Sequence, residues 1–303
     1  MKKIYLLLIM TAFFWISGFD ALAQGQTDRP VVALGADLSD GQREEVLNLM
    51  GLTEENLANC VVVTVTNDQE HQYLDSYIDS SVIGTKSLSS VMLTKAEEGN
   101  GVLVSSKNIN YCTTGMYRNA LLTAGLEDTN VLVVAPSPMS GTAALIGAVK
   151  GYEAMSGETV SDQTLDTALN ELITTGELAE NTENSEEVEE LVAYIKAKLA
   201  AGELESDEDI EGAIQEGEQK FGVTLTDEEK EKILEVMHKI KELGLDPQKL
   251  LNQAEDLYKK FGNELFDQTE DVIKKSLGES VQNYFSTMSD RFKDFFTNLF
   301  KRK

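Results

Sequence analysis

The stretch VLVVAPSPMSGTAALIGAVKGYEA, residues 131–154, decides the fold class, because it joins an apolar strand to a helix through a short polar turn. Its first six residues are apolar and rich in valine, which is typical of a strand buried on both faces of a sheet. Small residues then recur at spacings of three and four, and this predicts a helix packed closely on that sheet. These small residues are Ala144, Gly147, Ala148 and Gly151.

The same alternation of strand and helix extends over residues 28–157. Two further runs rich in valine, VVALG (31–35) and CVVVTVTN (60–67), are each followed by a helical pattern. The segment SLSSVMLTKAEEGNGVLVSSK (87–107) predicts a hairpin, because two strand-like arms flank residues that accept a positive φ. We therefore predict an α/β domain with a mixed sheet that helices cover on both faces.

After Gly157 the strand patterns vanish and helical patterns follow one another. Residues suited to capping precede these patterns, and glycines fall at their predicted ends. The capping residues are Ser161, Ser185, Ser206, Thr226 and Asp246, and the glycines are Gly176, Gly202, Gly222 and Gly244. The predicted organisation is an α/β domain (28–157), an acidic helical region (158–245) and long amphipathic C-terminal helices (246–303), so that an all-α region follows the α/β domain.

Residues 1–23 have the pattern of a signal peptide. Lys2 and Lys3 precede an apolar stretch, and Ala21-Leu22-Ala23 supplies the small residues that signal peptidase requires. The apolar stretch is short for a bilayer span, which needs about 20 residues. We expect the segment to be removed and the mature chain to be secreted, with cell-envelope association left open.

Acidic residues dominate the middle of the chain. The net charge is −26, and residues 158–219 hold 19 acidic but only 2 basic residues. Such a field repels phosphate backbones, so nucleic acid is not an expected partner. We interpret the acid-rich part as a solvated, solubilising surface.

One acidic segment, DEDIEGAIQEGE (207–218), has two interpretations. As a calcium-binding loop it would place Asp207, Asp209, Glu211 and Glu218 at ligand positions. As a helix it would be capped by the preceding serine and would carry three acids in its first turn, where the helix dipole favours them. Glycines on both sides suit the flanking helices of a calcium loop poorly, so the plain helix is favoured and no metal is expected.

The two cysteines, Cys60 and Cys112, leave two alternatives open. Export permits one disulfide between them, and two buried free thiols fit the sequence almost equally well. The chain has only two histidines, His71 and His238, and no CxxC motif, so a zinc site built from Cys and His is not expected. No nucleotide-binding motif is present, and no cofactor is expected.

The turn Ser140-Gly141-Thr142 is the main candidate for a site. At the start of a helix, its N–H groups and the helix dipole would favour a small anion. Arg118, in the block TTGMYRN, would join this site if a parallel crossover brings both helix starts to the same edge of the sheet. The competing interpretations are that Ser140 merely caps the helix and that Arg118 pairs with a nearby carboxylate, and both are favoured.

A serine hydrolase is a weaker interpretation of the same turn. Ser140 lacks the G-x-S-x-G spacing of a nucleophile elbow. Its base is also missing, because His71 lies in a polar helix start and nothing singles out Lys107 or Lys150. We therefore expect no catalysis. Paired carboxylates such as glycosidases use are not excluded, but acidic residues are so abundant that the sequence singles out no pair.

The last apolar stripe of the chain contains five phenylalanines and runs from Val281 to Phe300. Spacings of three and four place its members on one helix face. The stripe either packs within the protein or against a partner, or it lies on a membrane surface beside the basic end 301–303. Packing is favoured over membrane contact, because Asp290 and Asp294 weaken attraction to anionic lipid.

Four blocks of sequence resemble the YpuA-like family of secreted bacterial proteins. They are LGADLSDGQREEVLNLMGL (34–52), YCTTGMYRNALLTAGL (111–126), APSPMSGTAALIGAVKGYEA (135–154) and GVTLTDEEKEKILEVMHKIKELGLDPQKLLNQAEDL (222–257). This family is a domain of unknown function. The resemblance implies export and an α/β-then-helical layout, and it brings no catalytic residue or cofactor.

These observations favour a non-catalytic binding or interaction module outside the cytoplasm, with a protein or cell-envelope component as partner. The alternative is an extracytoplasmic small-anion binder or hydrolase that uses the Ser140–Thr142 turn.

Overall fold

A computed structural model describes residues 27–97, 101–180, 182, 185–200 and 202–244 of the chain. The predicted signal peptide (1–23) and the predicted C-terminal amphipathic helices (246–303) lie outside the described residues.

Five strands form one mixed sheet, as the alternating pattern predicts. They are β1 (Val31–Gly35), β2 (Val61–Val65), β3 (Ser90–Lys95), β4 (Val102–Ile109) and β5 (Thr129–Met139). Their order across the sheet is β2-β1-β3-β5-β4. β3 is antiparallel to both neighbours, whereas the β1–β2 and β4–β5 pairs are parallel. The carboxyl ends of β1, β2, β4 and β5 therefore share one edge, which we call the carboxyl edge.

The predicted hairpin of β3 and β4 is wrong, because β5 lies between them. β5 pairs antiparallel with β3 and parallel with β4. The physical reason is burial: Val131, Val133 and Val134 of β5 are at most 1% exposed, because the interior strand pairs at both edges and helices cover its two faces. β4 alternates buried or half-buried residues with exposed ones, which suits an edge strand.

Ten helices lie within the described residues, and several of them begin at a serine or threonine that caps the first turn. Ser39, Ser206 and Thr226 each accept a hydrogen bond from the third helical N–H and form a capping box. The helices are α1 (Asp40–Leu49), α2 (Glu54–Leu57), α3 (Asn67–Leu74), α4 (Ser80–Ile83), α5 (Thr114–Thr123), α6 (Thr142–Ser156), α7 (Asp162–Glu180), α8 (Ser185–Ala200), α9 (Asp207–Phe221) and α10 (Asp227–Glu242).

Gly176 does not end a helix, contrary to the prediction. It lies inside α7, and a Cβ atom there would come within 2.8 Å of the Met116 side chain and overlap the Tyr111 hydroxyl. A glycine at this position therefore allows α7 to approach α5 closely, which is a packing role that local sequence does not reveal.

Helices cover both faces of the sheet. α6 lies flat on one face through its small residues, since a Cβ atom at Gly147 would be 3.0 Å from the Cβ atom of Ala33. α5 and α7 complete this hydrophobic cluster, while α1 covers Val32, Leu34 and Val134 on the opposite face. The small-residue stripe of residues 144–151 thus packs on the sheet as predicted.

The helical region has a second core of its own. Side chains of α8, α9 and α10 form this cluster, together with Leu178 at the end of α7. The remainder of α7, including Leu169 and Leu172, joins the core of the α/β part. Hydrophobic packing is therefore continuous across the predicted boundary after residue 157. None of the helices within the described ranges combines the length and apolar character that crossing a bilayer requires.

Candidate functional site

The two helix starts singled out by the sequence meet at the carboxyl edge, after β4 and β5. The backbone N–H of Cys112 donates to the Ser140 carbonyl at 3.1 Å. The Tyr117 hydroxyl, which is fully buried, donates to the Gly141 carbonyl at 2.5 Å. The parallel crossover from β4 to β5 thus brings the 112–117 and 140–142 segments together, as expected for loops that follow neighbouring parallel strands.

The start of α6 differs in detail from the prediction that Ser140 is its cap. Gly141 occupies the N-cap position at φ 91°, without a side-chain hydrogen bond, and the helix begins at Thr142. This left-handed conformation favours glycine, and a Cβ atom there would be 2.9 Å from the Ile109 side chain. The Ser89 hydroxyl, from the segment before β3, accepts the hydrogen bond of the Ala144 N–H at 3.1 Å.

A buried carboxyl group, Glu70 of α3, lies at the start of α6. Glu70 is 2% exposed. The Thr142 hydroxyl donates to one of its oxygens at 3.4 Å, and the Asn67 amide donates to the other at 3.5 Å. Burial raises the pKa of Glu70 from about 4.5 to about 7, and the hydrogen bonds from Asn67 and Thr142 oppose this rise only in part. The protein's own carboxyl group therefore lies beside Thr142, one of the candidate anion ligands.

A second carboxylate, Glu189 of α8, lies at the start of α5. The Thr113 hydroxyl caps α5 by accepting from the Met116 N–H at 3.1 Å, and it donates to Glu189. A Cβ atom at Gly115 would overlap the Glu189 carboxylate, so the carboxylate lies directly against the first turn of α5. Burial raises the pKa of Glu189, while Thr113 and Arg118 lower it. Both helix starts at this edge are thus satisfied from within the protein.

Arg118 faces the helical region instead of the Ser140–Thr142 turn. Successive helical residues are rotated by about 100°, so Tyr117 contacts Gly141 while Arg118 points elsewhere. Arg118 interacts electrostatically with Glu189 and Lys196 of α8. The three candidate anion ligands, Ser140, Thr142 and Arg118, therefore do not converge, and the interpretation in which Arg118 interacts with a carboxylate fits the geometry.

The candidate bases for a Ser140 nucleophile are engaged elsewhere. The two ring nitrogens of His71 bond to the Asp75 carboxylate at 2.7 Å and to the Gly84 carbonyl at 3.0 Å. The bond with Asp75 raises the pKa of His71. Lys107 donates to the Leu49 carbonyl, and Lys150 donates to the Thr64 carbonyl and Gln69. The hydrogen bonds of His71, Lys107 and Lys150 are therefore made to groups other than Ser140.

Cys60 and Cys112 are both free and buried. Cys60 belongs to the hydrophobic cluster under α1, and Cys112 belongs to the cluster on the opposite face of the sheet. Burial raises the pKa of Cys112 to about 12, so this thiol is unreactive at neutral pH. Of the two alternatives that the sequence leaves open, the geometry corresponds to two buried thiols.

Residues 207–218 form the regular helix α9, which is the interpretation that the sequence favoured over a calcium loop. The candidate ligands are dispersed: Asp209 completes the capping box at Ser206, while Asp207 pairs with His238 at 2.9 Å. Glu218 pairs with Lys230 at 2.9 Å, and Glu211 is exposed. A helix points these side chains in several directions, whereas a calcium loop must converge on one ion. Within the described residues, no group of three or more acidic, His or Cys side chains is arranged to hold a metal.

A buried ion pair between α7 and α8 escaped the sequence analysis. Lys196 and Glu171 are both 0% exposed, and their charged atoms are 2.6 Å apart. The Lys196 ammonium also donates to the Asn119 carbonyl at 2.6 Å and to the Thr123 hydroxyl at 3.0 Å. Its three donors are thus satisfied, and Thr123 donates in turn to Glu171 at 2.5 Å. This network ties α5 to both helices, and part of the acid-rich region is consequently buried instead of solvated.

Fold and site together define a class: an α/β protein with an appended helical region, in which buried carboxyl groups of the chain lie beside two helix starts at the carboxyl edge. The chain belongs to the family described as protein of unknown function (DUF1002), which matches residues 34–257. It is 37% identical over 266 residues to the uncharacterized protein YpuA of Bacillus subtilis (strain 168), across 86% of this chain and 90% of that protein. No solved structure matches the chain significantly. The YpuA-like resemblance is confirmed.

Proposed function

We propose that the chain is an exported, non-catalytic interaction module that binds a protein or a cell-envelope component. The observation that carries this proposal is the internal occupation of the carboxyl edge. In open α/β sheets this edge is the usual site of ligands, yet Glu70 and Glu189 lie at the two helix starts there. When ionised, these carboxyl groups would repel an incoming phosphate.

The face of the sheet that α1 covers supports binding of a macromolecule. Val62 and Leu103 are the large hydrophobic side chains that stand exposed among the described residues, at 43% and 50%. Both lie on the face that α1 covers in part, since Val62 pairs with Val32 and Leu103 pairs with Asn130. A groove of about 190 Å³ lies beside Leu103. This volume is smaller than that of typical small-molecule pockets, about 300–1,000 Å³, and it suits a single anchoring side chain.

The groove is the centre of a surface that we call the open corner. Its members line β3, β4 and β5 on one face: Met92, Thr94, Leu103, Ser105, Asn130 and Leu132. They carry no formal charge, and they combine an apolar centre with hydroxyl and amide groups. A neutral surface of this kind suits an apolar anchor from a protein segment.

The competing function, an anion binder or hydrolase at residues 140–142, gives a direct test. Orthophosphate and pyrophosphate would be titrated calorimetrically into the mature protein, and p-nitrophenyl ester hydrolysis would be followed at pH 6 and pH 8. We expect neither saturable heat nor turnover above the buffer rate. A signal that disappears in both Ser140→Ala and Thr142→Val would overturn the non-catalytic proposal.

The interaction itself is tested by placing a photo-reactive amino acid at Leu103 in the exported chain. The matched control carries the same group at Glu208, which is exposed on α9, a helix that packs on α8 and α10. A discrete cross-linked product from position 103 and none from position 208 is the expected result. Identical product patterns from both positions would remove the open corner from the proposal.

A further inference from the structure

We propose that His71 is a pH-dependent latch, which holds the end of the short helix α4 against α3 only while both of its ring nitrogens carry a proton. The inference goes beyond the proposed function, because it gives the chain a conformational response that requires no partner. It is argued from the hydrogen-bond partners of His71, from the contacts that hold α4, and from the chain that follows α4 along the carboxyl edge.

Both ring nitrogens of His71 lie against oxygen atoms that accept hydrogen bonds. Nδ1 is 2.7 Å from the Asp75 carboxylate, and Nε2 is 3.0 Å from the Gly84 carbonyl. A neutral imidazole has one N–H and one lone pair, whereas the imidazolium has two N–H groups. Only the imidazolium satisfies both oxygens, because the neutral ring turns a lone pair towards one of them.

Contacts from α3 and its C-cap hold α4 at both ends. At the start of α4 the Ser80 hydroxyl donates to the Asp75 carboxylate at 3.4 Å. At its end the Gly84 carbonyl accepts from His71 at 3.0 Å and from the Asn67 amide at 3.4 Å. Gly84 also closes the turn itself, since its N–H donates to the Ser80 carbonyl at 3.0 Å. The histidine bond is therefore the shorter of the two that secure the Gly84 carbonyl.

Loss of one proton from the ring releases Gly84 and not Asp75. The Asp75 bond is the shorter one and has a charged acceptor, so the remaining N–H stays on Nδ1. The lone pair of Nε2 then faces the Gly84 carbonyl, which retains the longer bond from Asn67. The end of α4 is consequently held more weakly on α3 when His71 is neutral.

The segment that follows Gly84 runs along the carboxyl edge. The Ser87 N–H donates to the Asp37 carboxylate, just after β1, at 2.8 Å. The Ser89 hydroxyl accepts the Ala144 N–H of α6 at 3.1 Å. The latch therefore acts on the stretch of chain that connects α4 to the end of β1 and the start of α6.

The charged groups around His71 favour the protonated ring. The hydrogen bond to Asp75 raises the pKa of His71 most, the Gly84 carbonyl adds to the rise, and the charge of Glu70 contributes further. α4 carries no charged residue, and Lys86, which follows it, is exposed. The charged groups that α6 and α7 direct towards α3 and its C-terminal turn act on other side chains there: Lys150 on Gln69, Asp162 on Tyr73 and Asp166 on Tyr77.

The raised pKa fixes the direction of the response. The ordinary pKa of a histidine is about 6.5, and the folded value lies above it. The latch is therefore fully closed below pH 6.5, and it opens as the pH rises through the folded pKa of His71.

Nitrogen NMR of the imidazole rings tests the protonation state. The chain has two histidines, so His238→Gln in the mature protein leaves the signals of His71 alone. We expect both ring nitrogens of His71 to be protonated at pH 6 and Nε2 to lose its proton as the pH rises to 9. A neutral ring at pH 6 would overturn the proposal.

Hydrogen exchange of the Gly84 amide tests the opening itself. Exchange would be followed at pH 6 and pH 9 and expressed as protection relative to the intrinsic rate at each pH. The protection of Gly84 should fall by about fivefold at pH 9, which is roughly the effect of one lost hydrogen bond. Amides of α9, a helix that packs on α8 and α10, are the control and should show a smaller change.

Two variants assign the response to His71. The His71 side chain is 30% exposed, so His71→Gln spares the core, and the protection of Gly84 should then be the same at both pH values. Glu70→Gln keeps the latch and should retain the fall. Equal protection at pH 6 and pH 9 in the parent protein would overturn the proposal. A fall that persists in His71→Gln, or one that disappears in Glu70→Gln, would overturn it too, because the response would then belong to another group.

Discussion

Glu70→Gln is the most informative single change at the carboxyl edge, because it replaces a buried titrating group by a neutral one of the same shape. The glutamine amide resembles the protonated carboxyl group, and its oxygen can still accept a hydrogen bond from Thr142 or Asn67. The change therefore removes the ionisation while it leaves the packing of α3 on α6 nearly intact. Its effect on stability must depend on pH.

The direction in which stability changes with pH follows from the raised pKa of Glu70. In the folded protein Glu70 titrates at about 7, against about 4.5 when it is exposed. Between these values the folded state holds a proton that the unfolded state has released, so stability is full below pH 4.5 and falls as pH rises to 7. A difference of 2.5 pKa units corresponds to about 3 kcal/mol. Above pH 7 the loss is complete and no longer changes.

Urea denaturation at pH 5 and at pH 8 measures this difference. Relative to the parent protein, Glu70→Gln should gain about 3 kcal/mol between pH 5 and pH 8, to within a factor of two. Glu211→Gln, on the exposed side of α9, removes the same charge from the surface and is the matched control. If the stability difference between Glu70→Gln and the parent is the same at both pH values, Glu70 is not a buried titrating group and the reasoning fails.

Two further changes test the packing around the site. Lys196→Met leaves the Glu171 carboxylate buried without its cation and should lower the free energy of unfolding by about 3–5 kcal/mol in urea denaturation. Adding Glu171→Leu should recover part of this loss. An unchanged urea midpoint for Lys196→Met would contradict the buried pair. Gly35→Ala directs a methyl group into the backbone of the segment before β3 and should cost about 1–3 kcal/mol. Gly41→Ala in α1, where no atom lies within 4 Å, should stabilise by up to about 1 kcal/mol, so a similar loss of thermal stability in both glycine variants would refute the steric argument.

Local patterns predicted the elements of the fold well, for a physical reason. A capping box depends on residues three apart, and Ser206 and Thr226 begin their helices as expected. The closely packed face of α6 depends on small residues three and four apart, which is equally local. Each of these features is complete within one or two helical turns, and the sequence therefore contains all the information needed.

Pairing of strands was not predictable in the same way. The 87–107 segment has the chemistry of a hairpin, yet β5 separates its two arms. Which strand lies inside the sheet depends on how much apolar surface each of the five strands buries there, and the valine-rich strand takes the interior position. The residues between β3 and β4 carry no information about the other strands.

The sequence by itself determined the α/β-then-helical order, the family, and the position of the Ser140–Thr142 turn after a buried strand. Only the tertiary structure decided what that turn does, because its neighbours come from distant parts of the chain. Glu70 lies 72 residues before Thr142, and Glu189 lies 76 residues after Thr113. The sequence alone does not show whether a given glutamate is solvated or buried. Its environment, and with it the carboxyl groups at the helix starts, exists only once α3 has packed against α6 and α8 against α5.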